Sequence, residues 1–243
     1  VTTESSYRPT RSRADRRVWA PDAPYQSVSD LWPLFGIRVR SRRLELRPPG
    51  DEEIAALATV ARRGIHDPDV MPFPLGWTDR TGDDFDRGFA QYFWAQRACW
   101  SRESWTLPFA VFLGGEPVGV QQLSAETFPV MRTVGTSSWL ARSVQASGIG
   151  TEMRAAVLDF AFIALGAEVA TSSAFTFNTA SIRVSEKLGY EENGVRREVV
   201  RGRSQDTLLF RISRHAWTQY DHTLARVDGL DAARTYFGDS IGP

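Results

Sequence analysis

The chain has 243 residues, 42% of them hydrophobic, and its 29 basic and 29 acidic side chains cancel. That length supports one domain with a sizeable core plus tails, and a net charge of zero gives no electrostatic ground for nucleic acid or an anionic membrane as partner. No apolar run approaches the roughly 18 residues that a bilayer span needs, and a single cysteine, Cys99, excludes an internal disulfide and a cysteine-rich metal site.

Residues 1–28 are polar and proline-containing, carry Arg8, Arg11, Arg13, Arg16 and Arg17, and lack apolar periodicity. This predicts a flexible, arginine-rich arm. It reads either as a solvated tail or as a basic arm for a nucleic-acid or ribosomal partner. Charge runs are more often solvated tails, so nucleic acid is not the expected partner. The start also lacks the apolar core of a secretory leader, and a cytoplasmic location is expected. Ile37 to Leu46 reads as one strand through Ile37, Val39, Leu44 and Leu46, ended by Pro48-Pro49-Gly50. Asp51-Glu52-Glu53 opens a helix with acids in its first turn, and Ile54, Leu57 and Ala61 line one face. Gly64 to Trp77 is proline-rich and irregular. A second helix is predicted over Asp83 to Glu103, carrying Phe85, Phe89, Tyr92, Phe93, Trp94 and Trp100.

Leu107 to Leu113 and Pro117 to Leu123, joined at Gly114-Gly115, read as a hairpin. Thr133 to Ala141 is the next strand. A helix follows with Ile149, Met153, Ala156, Val157, Phe160, Ala161 and Ala164 on one stripe, closed by Gly166. Glu168 to Phe175 is a further strand, followed by a short helix. Tyr190 to Val200 and Gln205 to Ile212 form a last hairpin, turning at residues 201–204. Val227 to Phe237 is amphipathic enough to pack back on the domain. The organisation expected is an arm over 1–28, a domain over 29–217 and a C-terminal extension over 218–243.

Between the strand ending near Leu140 and the periodic helix lies Gln145-Ala-Ser-Gly148-Ile-Gly150-Thr151. The first N–H groups of a helix have no internal partner, and the helix dipole adds positive potential there. A glycine loop at that point suits a pyrophosphate. A Walker loop is excluded because Gly150 is followed by Thr151 without a lysine, and a dinucleotide fingerprint is excluded by Met153 where a third small residue is required. What remains is Gln/Arg-x-x-Gly-x-Gly/Ala. Further on comes Asn178-Thr-Ala-Ser181, leading to Lys187-Leu-Gly189-Tyr190.

These two segments, in this order, resemble the coenzyme A loop and the Asn-x-x-Ser…Lys-Leu-Gly-aromatic segment of the GCN5-related N-acetyltransferases, the GNAT superfamily. The resemblance spans roughly Leu44 to Trp217 and is greatest to the branch with the ribosomal-protein-alanine N-acetyltransferases. It implies an α+β fold with a mixed, mostly antiparallel twisted sheet flanked by helices, in which two central strands, Thr133–Ala141 and Glu168–Phe175, splay apart. It implies acetyl-CoA as acyl donor, lying in that gap. Pyrophosphate contacts then fall on Gly148, Ile149, Gly150 and Thr151, with Gln145 and Ser147 opening the loop. Pantetheine contacts fall on the backbone of Trp139, Leu140 and Arg142, and further cofactor contacts on Asn178, Ser181 and Lys187.

Acyl transfer from a thioester to an amine needs a neutral amine, a held carbonyl, donors for the oxyanion and protonation of the leaving thiolate. The resemblance puts Ser181 near the sulfur. Many members carry a tyrosine four residues later, where this chain has Ser185. Glu126 and His66 are the candidate general bases. Trp77, Tyr92 and Phe93 are the candidate acceptor contacts, from an aromatic cluster that core packing of the second helix explains more readily. Asn178 is read both as a ligand and as a helix cap. Cys99 has no activating neighbour, so direct transfer in a ternary complex is expected, not an acyl-cysteine. The three histidines lack metal-ligand spacing, and no metal is expected. The expected partners are acyl-CoA and an amine, either a small molecule or a protein N-terminus or lysine, with the chain a monomer or homodimer. A non-catalytic acyl-CoA-binding module is the alternative.

Overall fold

The computed structural model describes residues 25–238, so the arginines of the expected arm and the last five residues lie outside it. Nine strands form one sheet: β1 (Arg38–Arg40), β2 (Leu44–Arg47), β3 (Trp105–Leu113), β4 (Glu116–Ala125), β5 (Thr133–Leu140), β6 (Val169–Phe175), β7 (Glu191–Val200), β8 (Arg203–Ser213) and β9 (Arg226–Asp228). Their order is β7-β8-β6-β5-β4-β3-β2-β1-β9. Among the described residues only the β5–β6 pair is parallel. Four longer helices flank the sheet: α1 (Asp51–Arg62), α2 (Gly82–Ala98), α3 (Ile149–Asp159) and α4 (Thr179–Lys187). This is the mixed, mostly antiparallel α+β architecture expected.

Local chemistry explains the elements. At the start of α1 the Glu53 carboxylate accepts from the Gly50 N–H at 2.7 Å, satisfying one orphan donor. Phe85, Phe89 and Phe93 recur every four residues and form the buried stripe of α2. Together with Ile54 and Leu57 of α1 they pack on Ala110, Phe112 and Val120, covering one face of the sheet. On the other face Met153, Ala156, Val157 and Phe160 meet Phe109, Leu123, Val134 and Phe210. Phe160 to Ala164 continue α3 as one wider turn, and Gly166 stops it at φ 68°.

Two predicted elements need correction. The strand expected over Ile37 to Leu46 is a hairpin, β1 against β2, with Val39 opposite Leu46. Its apolar residues change parity between Val39 and Leu44, and a strand keeps one face only at constant parity. The second helix ends at Ala98 and not Glu103; residues 101–104 instead close a turn, Ser101 N–H donating to Ser104 O at 2.9 Å. After α4 the chain completes the sheet and folds back. β9 pairs with β1, and Phe237 is fully buried against Trp100, Trp105 and Phe160. The buried Asp159 carboxylate accepts from Trp217 Nε1 at 3.0 Å and the Ala225 N–H at 2.8 Å, and lies 2.8 Å from His222 Nε2, fastening this return to the end of α3.

The sheet is forked at its centre. β5 pairs with β4 from Gly135 to Leu140, whereas its pairing with β6 stops at Gly135 opposite Thr171. From Thr136 onward the edge of β5 that faces β6 has no strand partner. Two hydroxyls close the crotch: Thr171 donates to Val134 O at 3.3 Å and Thr136 to Thr171 O at 3.1 Å. Gly119 presses β4 against the far arm of the fork, and a Cβ there would stand 2.3 Å from Trp139 O.

Candidate active site at the strand fork

At one end of the fork the chain leaves β5 through residues 142–144 and enters α3. Gly148 caps α3 at φ 83°, and Ala146 is also left-handed at φ 57°. The first intrahelical donor is Glu152, whose N–H reaches Gly148 O at 3.1 Å. The N–H groups of Ile149, Gly150 and Thr151 precede it and have no backbone partner among the described residues, at a dipole end. Ser147 Oγ donates to Val144 O at 2.5 Å and holds the loop's shape.

Arg43, in the turn between β1 and β2, clasps this loop. Its Nε donates to Glu152 Oε2 at 2.6 Å, its backbone N–H to Glu152 Oε1 at 2.8 Å, and its Nη1 to Ser147 O at 3.2 Å. Burial works against ionisation of Glu152, but bonds from Ser41 and Arg43 outweigh it and hold its carboxyl below the ordinary range. An acid in the first turn lowers the positive potential at the helix start; Arg43 offsets its charge and Ser41 donates to it. The motif did not reveal Arg43, which arrives from about a hundred residues upstream.

Gln145 is placed at the same end but uses its amide nitrogen structurally, donating to Leu140 O at 2.9 Å and Ile65 O at 2.8 Å. It thereby ties the loop to the irregular segment 64–79. Arg142 is exposed beside it. Asn178 caps α4, accepting from Ser181 N–H at 3.2 Å, while the Ser181 hydroxyl has no partner among the described residues. Lys187 is exposed in the last turn of α4, at the far end from Asn178.

Segment 64–79 arches across the open mouth of the fork. Trp77 packs on Trp139 of β5 with ring centroids 6.0 Å apart, and Phe73 lies 5.4 Å from Trp77. Phe73 also joins the cluster of Met71, Phe175 of β6 and Val200 of β7. The arch thus touches both arms of the fork. Its far end is clasped by the β7–β8 tip, where Arg201 donates to Asp79 through Nε at 3.0 Å and Nη2 at 2.5 Å, and to Pro68 O at 3.0 Å. These bonds hold the Asp79 carboxyl below its ordinary range. Arg201 and Gly202 are both left-handed, the turn a two-residue hairpin tip requires.

His66 sits within the arch, stacked edge-on against Phe73 at 5.6 Å. Nδ1 lies 2.8 Å from Asp67 O and Nε2 2.8 Å from Thr78 Oγ1, so the assigned tautomer carries its proton on Nδ1 and accepts at Nε2. Glu126 is elsewhere. It is exposed beyond the end of β4, past Ser124 opposite Gly135, at the closed end of the fork. Of the three aromatic candidates, Phe93 is a core residue at 2% exposure, Trp77 is half-buried in the arch, and Tyr92 donates to Gln122 Oε1 of β4. Burial pushes the Tyr92 phenol up, against the bond to Gln122.

The face of the fork below the arch is open and polar. Val134, Thr136, Ala170, Ser172 and Ala174 are buried, while the alternate residues Ser137 and Ser173 are exposed and Gly135 and Thr171 partly so. On the opposite face Ser185 is fully buried. It accepts from Arg154 Nη1 at 2.9 Å and donates to Ser181 O at 3.3 Å. Arg154 is itself 4% exposed, and burial lowers its pKa. The nearby Tyr190 phenol is raised by burial, opposed by the Arg154 charge. Ser185 therefore packs inward. Arg154 breaks the apolar stripe of α3, and no pattern in the sequence marks it as buried. Among the described residues no group of histidines, cysteines or carboxylates could hold a metal ion, and no helix is long and apolar enough to cross a membrane.

Comparison with known proteins agrees with this geometry. The family model described as an acetyltransferase (GNAT) domain matches residues 43–191. A solved structure of Mycobacterium smegmatis RimJ in complex with CoA-disulfide has a TM-score of 0.60 at 23% identity, covering 82% of this chain and 90% of that one. RimL, a ribosomal L7/L12 α-N-protein acetyltransferase solved with coenzyme A, gives 0.60 at 16% identity, covering 71% and 95%. A GNAT-family acetyltransferase from Bacillus anthracis gives 0.58 at 17% identity, covering 73% and 99%. At these identities the solved structures establish the shared fold.

Proposed function

Because the chain belongs to the acetyltransferase (GNAT) domain family, we propose that it moves an acetyl or related acyl group from acyl-CoA to a primary amine by direct transfer in a ternary complex. The observation that carries this reading is the fork itself. A strand edge without a partner among the described residues, Thr136 to Leu140, is followed through the loop at residues 141–148 by three free N–H donors at the start of α3. A pantetheine arm can pair along such an edge as an added strand while its pyrophosphate meets the helix end. Gly148, Ile149, Gly150 and Thr151 hold the phosphates, with Arg43 as a neighbouring cation. Trp139, Leu140 and Arg142 offer backbone to the arm, and Gln145 and Ser147 keep the loop in shape.

In the reaction the neutral amine nitrogen attacks the thioester carbonyl and forms the C–N bond, the nitrogen gives up a proton to a base, the C–S bond breaks, and the leaving thiolate takes a proton. The unbonded Ser181 hydroxyl, in the first turn of α4, suits relaying that last proton. Ser185 is turned inward and does not compete for it. His66, within the arch, is the better placed of the two candidate bases; Glu126 is remote from the mouth. The acceptor is taken to be the terminal amine of an extended chain, because the trough of Gly135, Ser137, Thr171 and Ser173 is open and free of bulky side chains. The aromatic arch above it favours a terminus, which can slide beneath, over a lysine in a folded surface.

Calorimetry with acetyl-CoA, followed by coenzyme A release with a panel of peptide and small amines, tests the proposal. Micromolar binding and release with at least one amine support it. Binding without transfer to any amine would favour the non-catalytic module, and absence of binding would remove both.

A further inference from the structure

A cleft of about 530 Å³ opens between the β7–β8 tip and the turn at residues 67–71. Met71, Phe177 and Val200 make it apolar, and three charges border it: Asp69, Arg201 and Arg203. The charges are not equivalent. Arg201 is engaged by Asp79 in a two-bond pair, and Asp69 also bears on Arg201, so that corner holds two carboxylates around one guanidinium. Arg203 is exposed and has no ion-pair partner among the described residues. The cleft therefore has a negative corner and a positive one, separated by apolar surface.

Its position relates it to the fork. Phe177 stacks on Phe175 at 5.4 Å, and Phe175 is the last residue of the β6 arm. Met71 and Val200 pack with Phe175 from the arch and the hairpin tip. An acceptor entering the mouth along β6 meets this cleft immediately outside the trough.

We propose that the cleft receives the residue next to the acceptor amine and selects an acidic side chain there, with Arg203 as the specificity-determining residue. This inference rests on the acyl-transfer reading above. The positive corner matches an acidic second residue: its carboxylate meets the open guanidinium, which can bind it through two parallel bonds, while the negative corner at Asp69 and Asp79 repels it from the other side of the cleft. Charge complementarity of this kind sets specificity more than overall affinity.

The experiment uses three peptides that differ only at the second position, Glu, Gln or Lys, and free glutamate as a small-molecule arm. Coenzyme A release is measured at saturating acetyl-CoA, and peptide binding to the coenzyme A-loaded protein by calorimetry. The Glu peptide is expected to exceed the Gln peptide about fivefold to tenfold in kcat/KM, as a partly solvated charge pair allows. R203Q brings the Glu peptide down to the Gln peptide, and R203E turns the preference toward Lys, with thermal midpoints checked for all variants. Equal rates and equal binding for Glu and Gln peptides overturn the proposal, as does a preference that survives R203Q. If free glutamate alone shows the Arg203-dependent preference, the cleft stands but its occupant is a small amino acid and not a chain. Charge-selective binding that depends on Arg203 without any transfer sustains the cleft while the acyl-transfer reading fails.

Discussion

The phosphate loop and the arched mouth, both at the open end of the fork, are built in opposite ways. The phosphate end comes mostly from one stretch of chain, residues 140–152, whose donors are backbone N–H groups fixed by a helix start and two left-handed residues. The mouth is assembled from four separate places: the 64–79 arch, Trp139 of β5, Phe175 of β6 and the tip at Arg201. Its contacts are side chains. A site made of backbone changes little when side chains change, and it can serve one ligand across a whole family. A site made of distant side chains can be retuned piece by piece. Under the proposed acyl transfer, the phosphate end therefore fits the constant partner of the reaction, and the mouth the variable one.

Substitutions can break that division. The largest effect is expected for Gly148→Val. A β-branched residue resists φ 83°, and its shift would misalign the free donors, so acetyl-CoA affinity should fall about 100-fold. Calorimetry measures this directly, and peptide binding to the mouth should be unaffected. Next is Trp77→Ala, which removes the arch's contact with Trp139. Acceptor KM should rise about tenfold while the acetyl-CoA Kd stays within about threefold of the parent, as judged by steady-state kinetics and calorimetry. If both constants moved together in either variant, the loop and the mouth would not be independent.

Arg43→Ala sharpens the comparison, because Arg43 is a side chain from outside the loop on which the phosphate end depends. Without it Glu152 is left as an unshielded acid beside the loop, and acetyl-CoA binding should weaken about fivefold, more at low salt. The double variant Arg43→Ala/Glu152→Gln should recover part of that loss. The smallest effect concerns the tip. Asp79 has a depressed folded-state pKa, so the stability that its bonds contribute is complete above the unfolded pKa of about 4 and is lost as pH falls further. Denaturation midpoints at pH 7 and pH 3.5 should differ less for Asp79→Asn than for the parent protein.

How much of this was legible in the sequence follows the same division. The glycine loop, the helix stripe and the strand before it are local patterns, and the fork could be expected from the two motifs in order. The aromatic residues of the arch were visible as a cluster, but not that Trp77 and Phe73 bridge the two arms. That depends on where residues 64–79 cross, which no periodicity encodes. Phe93 illustrates the limit: at four-residue spacing from Phe89 it belongs to the buried stripe of α2, while Tyr92, one step around the helix, reaches β4. Arg43, Arg154 and Arg201 were missed for one reason. A lone charged residue in a sequence rich in arginine carries no mark of its partner, and Glu152, Ser185 and Asp79 lie 109, 31 and 122 residues away. The split of the first strand was legible in the parity change between Val39 and Leu44.

The pairing of β9 with β1, and of β8 with β6, bears on how small a working piece of this chain can be. The family match over residues 43–191 marks where descent is readable, not where the sheet closes. A fragment cut to that span would carry β6 without β8 and β2 without β1, leaving a seven-residue and a four-residue row of N–H and C=O groups open to any neighbouring strand. It would also lose Phe237 from the core. Such a fragment should self-associate through its bare edges, so recognisable ancestry and independent folding have different boundaries in this molecule.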